Sequence, residues 1–174
     1  MNSKTETPRI YVVCLASYNN GILHGSWIDA AQDVKSIDSA IKDMLFQSPE
    51  PGAEEWEIHD YEGFYGLRFS RGEDLETVSK IASLLVEYGE LVAKVIERCD
   101  FDLKWAHECL EDDYIGCYPS LEDYARESTL ELENIPEYLI RYIDFERFGS
   151  DMERLGDIFT IEMGGGETHV FLNH

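Results

Sequence analysis

The rhythm of apolar and polar positions changes along this 174-residue chain, and each change predicts an element. Arg9 to Ala16 (RIYVVCLA) is dense in β-branched and aromatic residues and reads as a buried strand. Tyr18-Asn19-Asn20-Gly21 follows with hairpin-turn chemistry, because Asn and Gly accept positive φ. A second strand is expected over Ile22 to Ile28. Ser36 to Gln47 then switches to helical spacing, with Ile37, Ile41, Met44 and Leu45 on one face. Ser48-Pro49-Glu50-Pro51-Gly52 stops it. Glu55 to Tyr61 alternates in period two and predicts a third strand, with Trp56 and Ile58 on one side.

From Leu75 the spacing is helical. Leu75, Val78, Ala82 and Leu85 share a face, and Gly89 suits a C-terminal cap. Leu91, Val92, Val95, Ile96 and Cys99 form a second apolar stripe. Leu103, Ala106 and Leu110 outline a third, short helix capped by Asp100 or Asp102. Tyr114 to Tyr118 (YIGCY) is a short strand, and Ser120 to Asp123 fits a capping box. On the helix that follows, Glu122, Asp123, Glu127 and Glu131 fall on one half-circle. Leu121, Tyr124, Ala125, Ser128 and Leu132 fall on the other. Pro136 suits the first turn of a further helix with Tyr138, Leu139 and Tyr142 as its core side. Ser150 to Glu153 reads as a second capping box, with Gly156 as the stop. Asp157 to Met163 and Thr168 to Leu172 alternate as strands about Gly164-Gly165-Gly166. The expected fold is α+β, elongated, with three small domains in a row. They are a sheet-plus-helix domain over 1–62, a helical domain over 63–105 and a mixed domain over 106–174.

Charge changes the picture most. There are 36 acids against 14 bases, a net charge of −22. Solubility of a small domain needs a magnitude of only roughly 2–8. Residues 106–174 hold seventeen acids and four bases. Direct nucleic-acid binding and anionic membranes are disfavoured, since both need a basic footprint. A strongly basic surface, or cations, is the expected partner. The four cysteines form no CxxC pair, and no apolar run approaches the roughly 18 residues of a membrane span. The N-terminus lacks the apolar segment of a secretory signal, so a cytoplasmic protein with reduced thiols is expected.

Motifs for catalysis are missing from the sequence. It has no Gly-x-Ser-x-Gly, no Walker loop and no GxGxxG, and paired carboxylates are too abundant to single out an acid and a base. His107, Cys109 and Cys117, with His24 or His59, lack the paired spacing of structural zinc sites. Glu111, Asp113, Gly116 and Glu122 match four positions of a calcium loop, but Ile115 stands where a ligand is required. No catalytic residue, metal ligand or cofactor is therefore assigned.

Magnitude points elsewhere. Duplex DNA carries one charge per ~1.7 Å of axis, so two copies of this chain hold charge equal to roughly 75 Å of duplex. Carboxylates held on helices and strands can thus stand in for phosphates and occupy the basic groove of a DNA-binding protein.

Particular residues also resemble a known family. Thr7 to Val12, Cys14 to Ala16, Tyr18-Asn19, Gly21, Leu23 to Gly25 and Trp27 to Ala30 are similar to the start of ArdA-type antirestriction proteins. Glu55 to Asp60 and Gly63-Phe64 resemble the same family, as do Tyr114 to Gly116, Ser120 to Arg126 and Ile135 to Tyr138. The resemblance implies a non-enzymatic mimic of B-form DNA, carried on mobile genetic elements. It would fill the DNA-binding groove of type I restriction–modification enzymes (the methyltransferase and specificity core) and protect incoming DNA. It also implies a curved rod of three domains and a homodimer formed through the third. The acids expected to meet the partner are Glu111, Asp112, Asp113, Glu122, Asp123, Glu127, Glu131, Glu133, Glu137, Asp144 and Glu146. Tyr114, Ile115, Cys117 and Tyr118 are the dimer-interface candidates, with pairing to the C-terminal hairpin as the alternative for that strand. Two competing functions stand beside this one: an acidic protein sequestering another basic DNA-binding client, and a metal-dependent enzyme whose ligands assemble only in three dimensions.

Overall fold

A computed structural model describes residues 7–70, 72–131 and 135–174. The described residues form an α+β fold of eight α-helices and two three-stranded antiparallel sheets. They divide into two compact units, Met1–Ala93 and Lys94–His174.

The first unit is built around β1 (Arg9–Cys14). Its neighbours are β2 (Gly25–Asp29) and β3 (Trp56–Glu62), in the order β2-β1-β3. The middle position explains why β1 is a continuous apolar run: Ile10, Val12, Val13 and Cys14 are all fully buried. Helix α2 (Val34–Phe46) buries Ile37, Ile41 and Met44, as its spacing predicts. Each isoleucine taken out of water contributes about 1.5–3 kcal/mol. Asp33 caps α2 by accepting from the Ser36 amide at 3.1 Å. Asp74 caps α3 (Leu75–Tyr88) by accepting from the Thr77 amide at 2.9 Å. Gly89, at φ +69°, ends α3 in a conformation that costs other residues strain. Gly25 is needed for closeness: a Cβ there would lie 2.4 Å from the Val12 carbonyl oxygen.

The first two strands pair antiparallel as a hairpin would, but the expected tight turn between them is corrected. The first strand ends at Cys14, and Leu15 opens a short helix, α1 (Leu15–Asn19). The amides of Asn20 and Ile22 both donate to the Ser17 carbonyl, which takes this stretch out of the sheet. Strand β2 therefore begins at Gly25, and Ile22 and Leu23 are exposed.

Helix α4 (Glu90–Arg98) carries the chain from one unit into the other. The second unit continues with α5 (Leu103–Glu108), capped by Asp102, and one π-helical turn over Cys109–Asp113. Then come β4 (Tyr114–Tyr118), α6 (Leu121–Glu131), α7 (Glu137–Ile140) and α8 (Phe145–Leu155). The hairpin of β5 (Ile158–Met163) and β6 (Glu167–Leu172) closes the unit where it is expected. The sheet order is β4-β6-β5, so β4 pairs with the C-terminal hairpin and is an edge strand. Tyr124, Ile158 and Val170 form a core against one sheet face, joined by Ile115, Tyr118, Leu121 and Met152. On the other face Phe159 and Phe171 stack with centroids 4.8 Å apart. Helices α6 and α8 approach at Gly149, where a Cβ would lie 2.9 Å from both Cγ and the carbonyl oxygen of Leu121.

Two expectations in this unit are corrected. Helix α8 starts at Phe145 under an Asp144 cap, with Asp144 accepting from the Arg147 amide at 2.9 Å. Ser150, expected to open the helix, lies inside it and donates to the Glu146 carbonyl at 2.9 Å. Helix α7 is a single turn that buries no side chain, so Tyr138, Leu139 and Tyr142 are exposed rather than core. The Arg141 guanidinium lies 5.5 Å from the Tyr142 ring centroid and covers part of it.

Candidate functional site

The clearest acidic surface of the second unit is one face of α6. Ser120 starts the helix by accepting from the Asp123 amide at 3.1 Å, while its hydroxyl donates to the Asp123 carboxylate. Tyr124, Ala125 and Thr129 are buried and anchor the inner face. That rotation leaves Glu122, Asp123, Glu127 and Glu131 exposed together on the outer one. Leu132, expected on the inner side, lies outside the described residues.

The charge on this face is only partly offset. Arg126 pairs with Glu122 at 2.7 Å and lies 4.5 Å from the Phe145 ring centroid. The pair is exposed, so it contributes at most about 1 kcal/mol to stability. Burial pushes the Tyr118 phenol pKa up, and Glu127, Tyr124 and Glu131 push it the same way. Four carboxylates and one arginine leave α6 a net charge of −3. At ~1.5 Å per residue this is about one charge per 5 Å, a third of the density of duplex DNA. The face needs acids from other elements to match a duplex.

The other expected acids are scattered around α6 in the chain. Glu111 and Asp112 are exposed on the π-helical turn. Asp113 beside them is the one buried carboxylate among the described residues, and one oxygen lies 3.0 Å from Nε2 of His174. It presents little charge to solvent. Glu137 is exposed in the first turn of α7, and Asp144 and Glu146 are exposed at the start of α8. Asp144 has a second task as the α8 cap. Glu133 lies outside the described residues.

Of the interface candidates on β4, Tyr114 and Cys117 are exposed and Ile115 and Tyr118 are half-buried. Ile115 and Tyr118 are partly committed to the core around Tyr124. One long edge of β4 has no strand beside it among the described residues.

The profile of a family described as antirestriction protein (ArdA) matches residues 10–166. The match spans every helix named above and the strands from β1 to β5, and it stops just short of β6. The chain belongs to the ArdA family of antirestriction proteins. Comparison with curated proteins finds no significant match. The family agrees with the resemblance carried by the N-terminal residues. It also gives the acidic face of α6 a context, because α6 lies inside the matched region. No helix among the described residues is long and apolar enough to cross a membrane.

Reasoning from sequence missed one grouping. Cys117, Glu167 and His169 bring their ligand atoms within 4.8 Å of one another. Of the residues weighed for zinc from their spacing, Cys117 alone belongs to it. Cys109 is buried, as expected, with its sulfur 3.9 Å from that of Cys99. Burial, with Cys109 beside it, pushes the Cys99 thiol pKa up to about 12.

Proposed function

We propose that this family member is a non-enzymatic mimic of B-form DNA. It enters the DNA-binding groove of a type I restriction–modification enzyme and blocks restriction of incoming DNA. Membership of an antirestriction family supports the outcome, and the carboxylate face of α6 supports the means. That face is the observation that carries the reading: a buried seam of Tyr124, Ala125 and Thr129 holds Glu122, Asp123, Glu127 and Glu131 outward with Arg126 alone on the helix to offset them. Fixed carboxylates meet a basic groove without the entropy cost of ordering a flexible acidic tail. The partner would be the methyltransferase and specificity core, the part that must hold DNA for both cutting and modification.

The same reading carries three further statements about form. The chain would act as an elongated row of three domains, over 1–62, 63–105 and 106–174. It would work as a homodimer, with Tyr114, Ile115, Cys117 and Tyr118 of edge strand β4 at the contact. The remaining acids, Glu111, Asp112, Glu133, Glu137, Asp144 and Glu146, would extend the charge array beyond α6, whereas Asp113, expected among them, is buried and would add little.

Competition tests the proposal. A type I methyltransferase is mixed with the full chain and its binding to a cognate duplex is measured at low and moderate salt. The expected result is displacement of DNA near stoichiometric protein, weakening steeply as salt rises. Untouched DNA binding at a severalfold excess and low salt would overturn the reading. Displacement of DNA from an unrelated basic protein with equal potency would favour a general acidic sequestrant instead.

A further inference from the structure

The β4–β6 pairing assembles a donor set that acidity alone does not explain. Cys117 lies directly across the ladder from His169. Glu167 precedes His169 by two residues on β6, so all three side chains project from the same sheet face. Thiol, imidazole and carboxylate are the three donor types that zinc takes from proteins. Their ligand atoms lie within 4.8 Å of one another. Tetrahedral zinc, with bonds of about 2.0–2.3 Å, holds its ligands roughly 3.3–3.8 Å apart. Cys117 and Glu167 are both exposed, so rotation of their side chains closes the difference without moving the backbone.

The fourth residue of the group orients the imidazole. The Tyr114 hydroxyl lies 3.0 Å from Nδ1 of His169, and the two rings stack at 5.8 Å. An Nδ1–H donated to the tyrosine oxygen leaves the Nε2 lone pair free for a metal, the usual arrangement of a metal-ligating histidine. The surrounding net charge of −22 concentrates divalent cations near the surface.

We propose that Cys117, Glu167 and His169 form a zinc-binding site, with Tyr114 positioning the histidine and water completing the tetrahedron. Binding deprotonates the thiol and releases its proton to solvent. The ion ties edge strand β4 to β6 through side chains as well as through the ladder. The proposal does not rest on DNA mimicry, although Tyr114 and Cys117 are also proposed at the dimer contact.

Metal-stripped, reduced full-length protein is titrated with Zn2+ against a chromophoric chelator, and with Co2+ followed by absorption. One tight equivalent of Zn2+ per chain is expected, and the Co2+ form should show a thiolate-to-metal charge-transfer band. Cys117→Ser should abolish that band. Both Cys117→Ser and His169→Gln should weaken Zn2+ by more than the ~100-fold seen when outer-shell groups are lost. Tyr114→Phe should weaken it by about tenfold while retaining the band. All of these positions are at least partly exposed, and circular dichroism confirms that each variant is folded. Uptake of no tight equivalent, or of one equivalent that survives Cys117→Ser and His169→Gln, places any bound ion elsewhere and overturns the site.

Discussion

The two units use one plan, a three-stranded antiparallel sheet with helices against it, but they spend their carboxylates differently. Residues 1–93 hold sixteen acids and seven bases, and residues 94–174 hold twenty acids and seven bases. The shorter unit is therefore the more negative, at −13 against −9. In the first unit Glu62 pairs with Arg9 across the β1–β3 ladder, and most other acids with clear partners are local. Asp33 and Asp74 cap helices, and Asp38 and Glu76 pair with Lys42 and Lys80 one turn away. In the second unit α6 presents four acids on one face with a single arginine among them. The lesson concerns arrangement more than amount. An acid that caps its own helix is spent on the fold, whereas a row on an outward face stays available to a partner.

Three predictions sharpen or break this contrast. The largest effects should come from the two close approaches that hold the units together internally. Gly25→Ala would press a Cβ against the Val12 carbonyl, and Gly149→Ala against Leu121. Each should cost about 1–3 kcal/mol in denaturant unfolding, with Gly25→Ala the larger because its clash with backbone is closer, 2.4 Å against 2.9 Å. A neutral result for either would mean that its packing relaxes freely.

Next in size is the functional asymmetry. Changing Glu122, Asp123, Glu127 and Glu131 together to Gln or Asn should weaken inhibition of a type I enzyme by at least roughly tenfold, about 1.4 kcal/mol. The same change at Asp43, Glu54, Glu55 and Glu87, exposed acids of the first unit, should weaken it less. Equal losses would show that the charge acts as a diffuse field and would remove the special place of α6.

The smallest effect is in pH. His169 has its pKa lowered from the ordinary 6.5 by burial. Below 6.5 the unfolded chain takes up this proton first, so stability falls as pH drops through the window beneath 6.5. Asp74 has its pKa lowered from 3.8, mainly by the Thr77 amide and then its hydroxyl. Its contribution is complete above 3.8 and is lost only as pH falls further. Amide exchange should therefore show β6 loosening at mildly acidic pH while the start of α3 holds. Simultaneous loosening of both would break the distinction.

Most elements were legible because their signals are local. The uninterrupted apolar run of β1, the face of α2, the Gly89 stop and the Gly164–Gly166 hairpin each follow from a few adjacent residues. So does the split of α6 into acidic and apolar faces. The misreadings arose where two local rules competed. Tyr18 to Gly21 satisfies turn chemistry, yet its amides close a helical turn on Ser17 and Tyr18. Ser150 and Asp144 both satisfy capping rules, and burial of Phe145 and Gly149 favours the earlier start. The apolar spacing of Tyr138, Leu139 and Tyr142 matches a packed helix, but a single turn presents too little surface to bury them.

The chain's composition and periodicity by themselves determined the excess of acid, the α+β pattern and the outward row on α6, since each depends on neighbours within a few residues. Tertiary structure decided which carboxylates are free and which residues meet across strands. Asp113 is adjacent in sequence to Asp112 and yet buried, with a carboxylate oxygen 3.0 Å from Nε2 of His174 at the far end of the chain. Cys117 meets His169 only through the β4–β6 register, across more than fifty residues of intervening chain. Pairing at that separation rests on long-range packing and ladder geometry, for which no short stretch of sequence carries a signal.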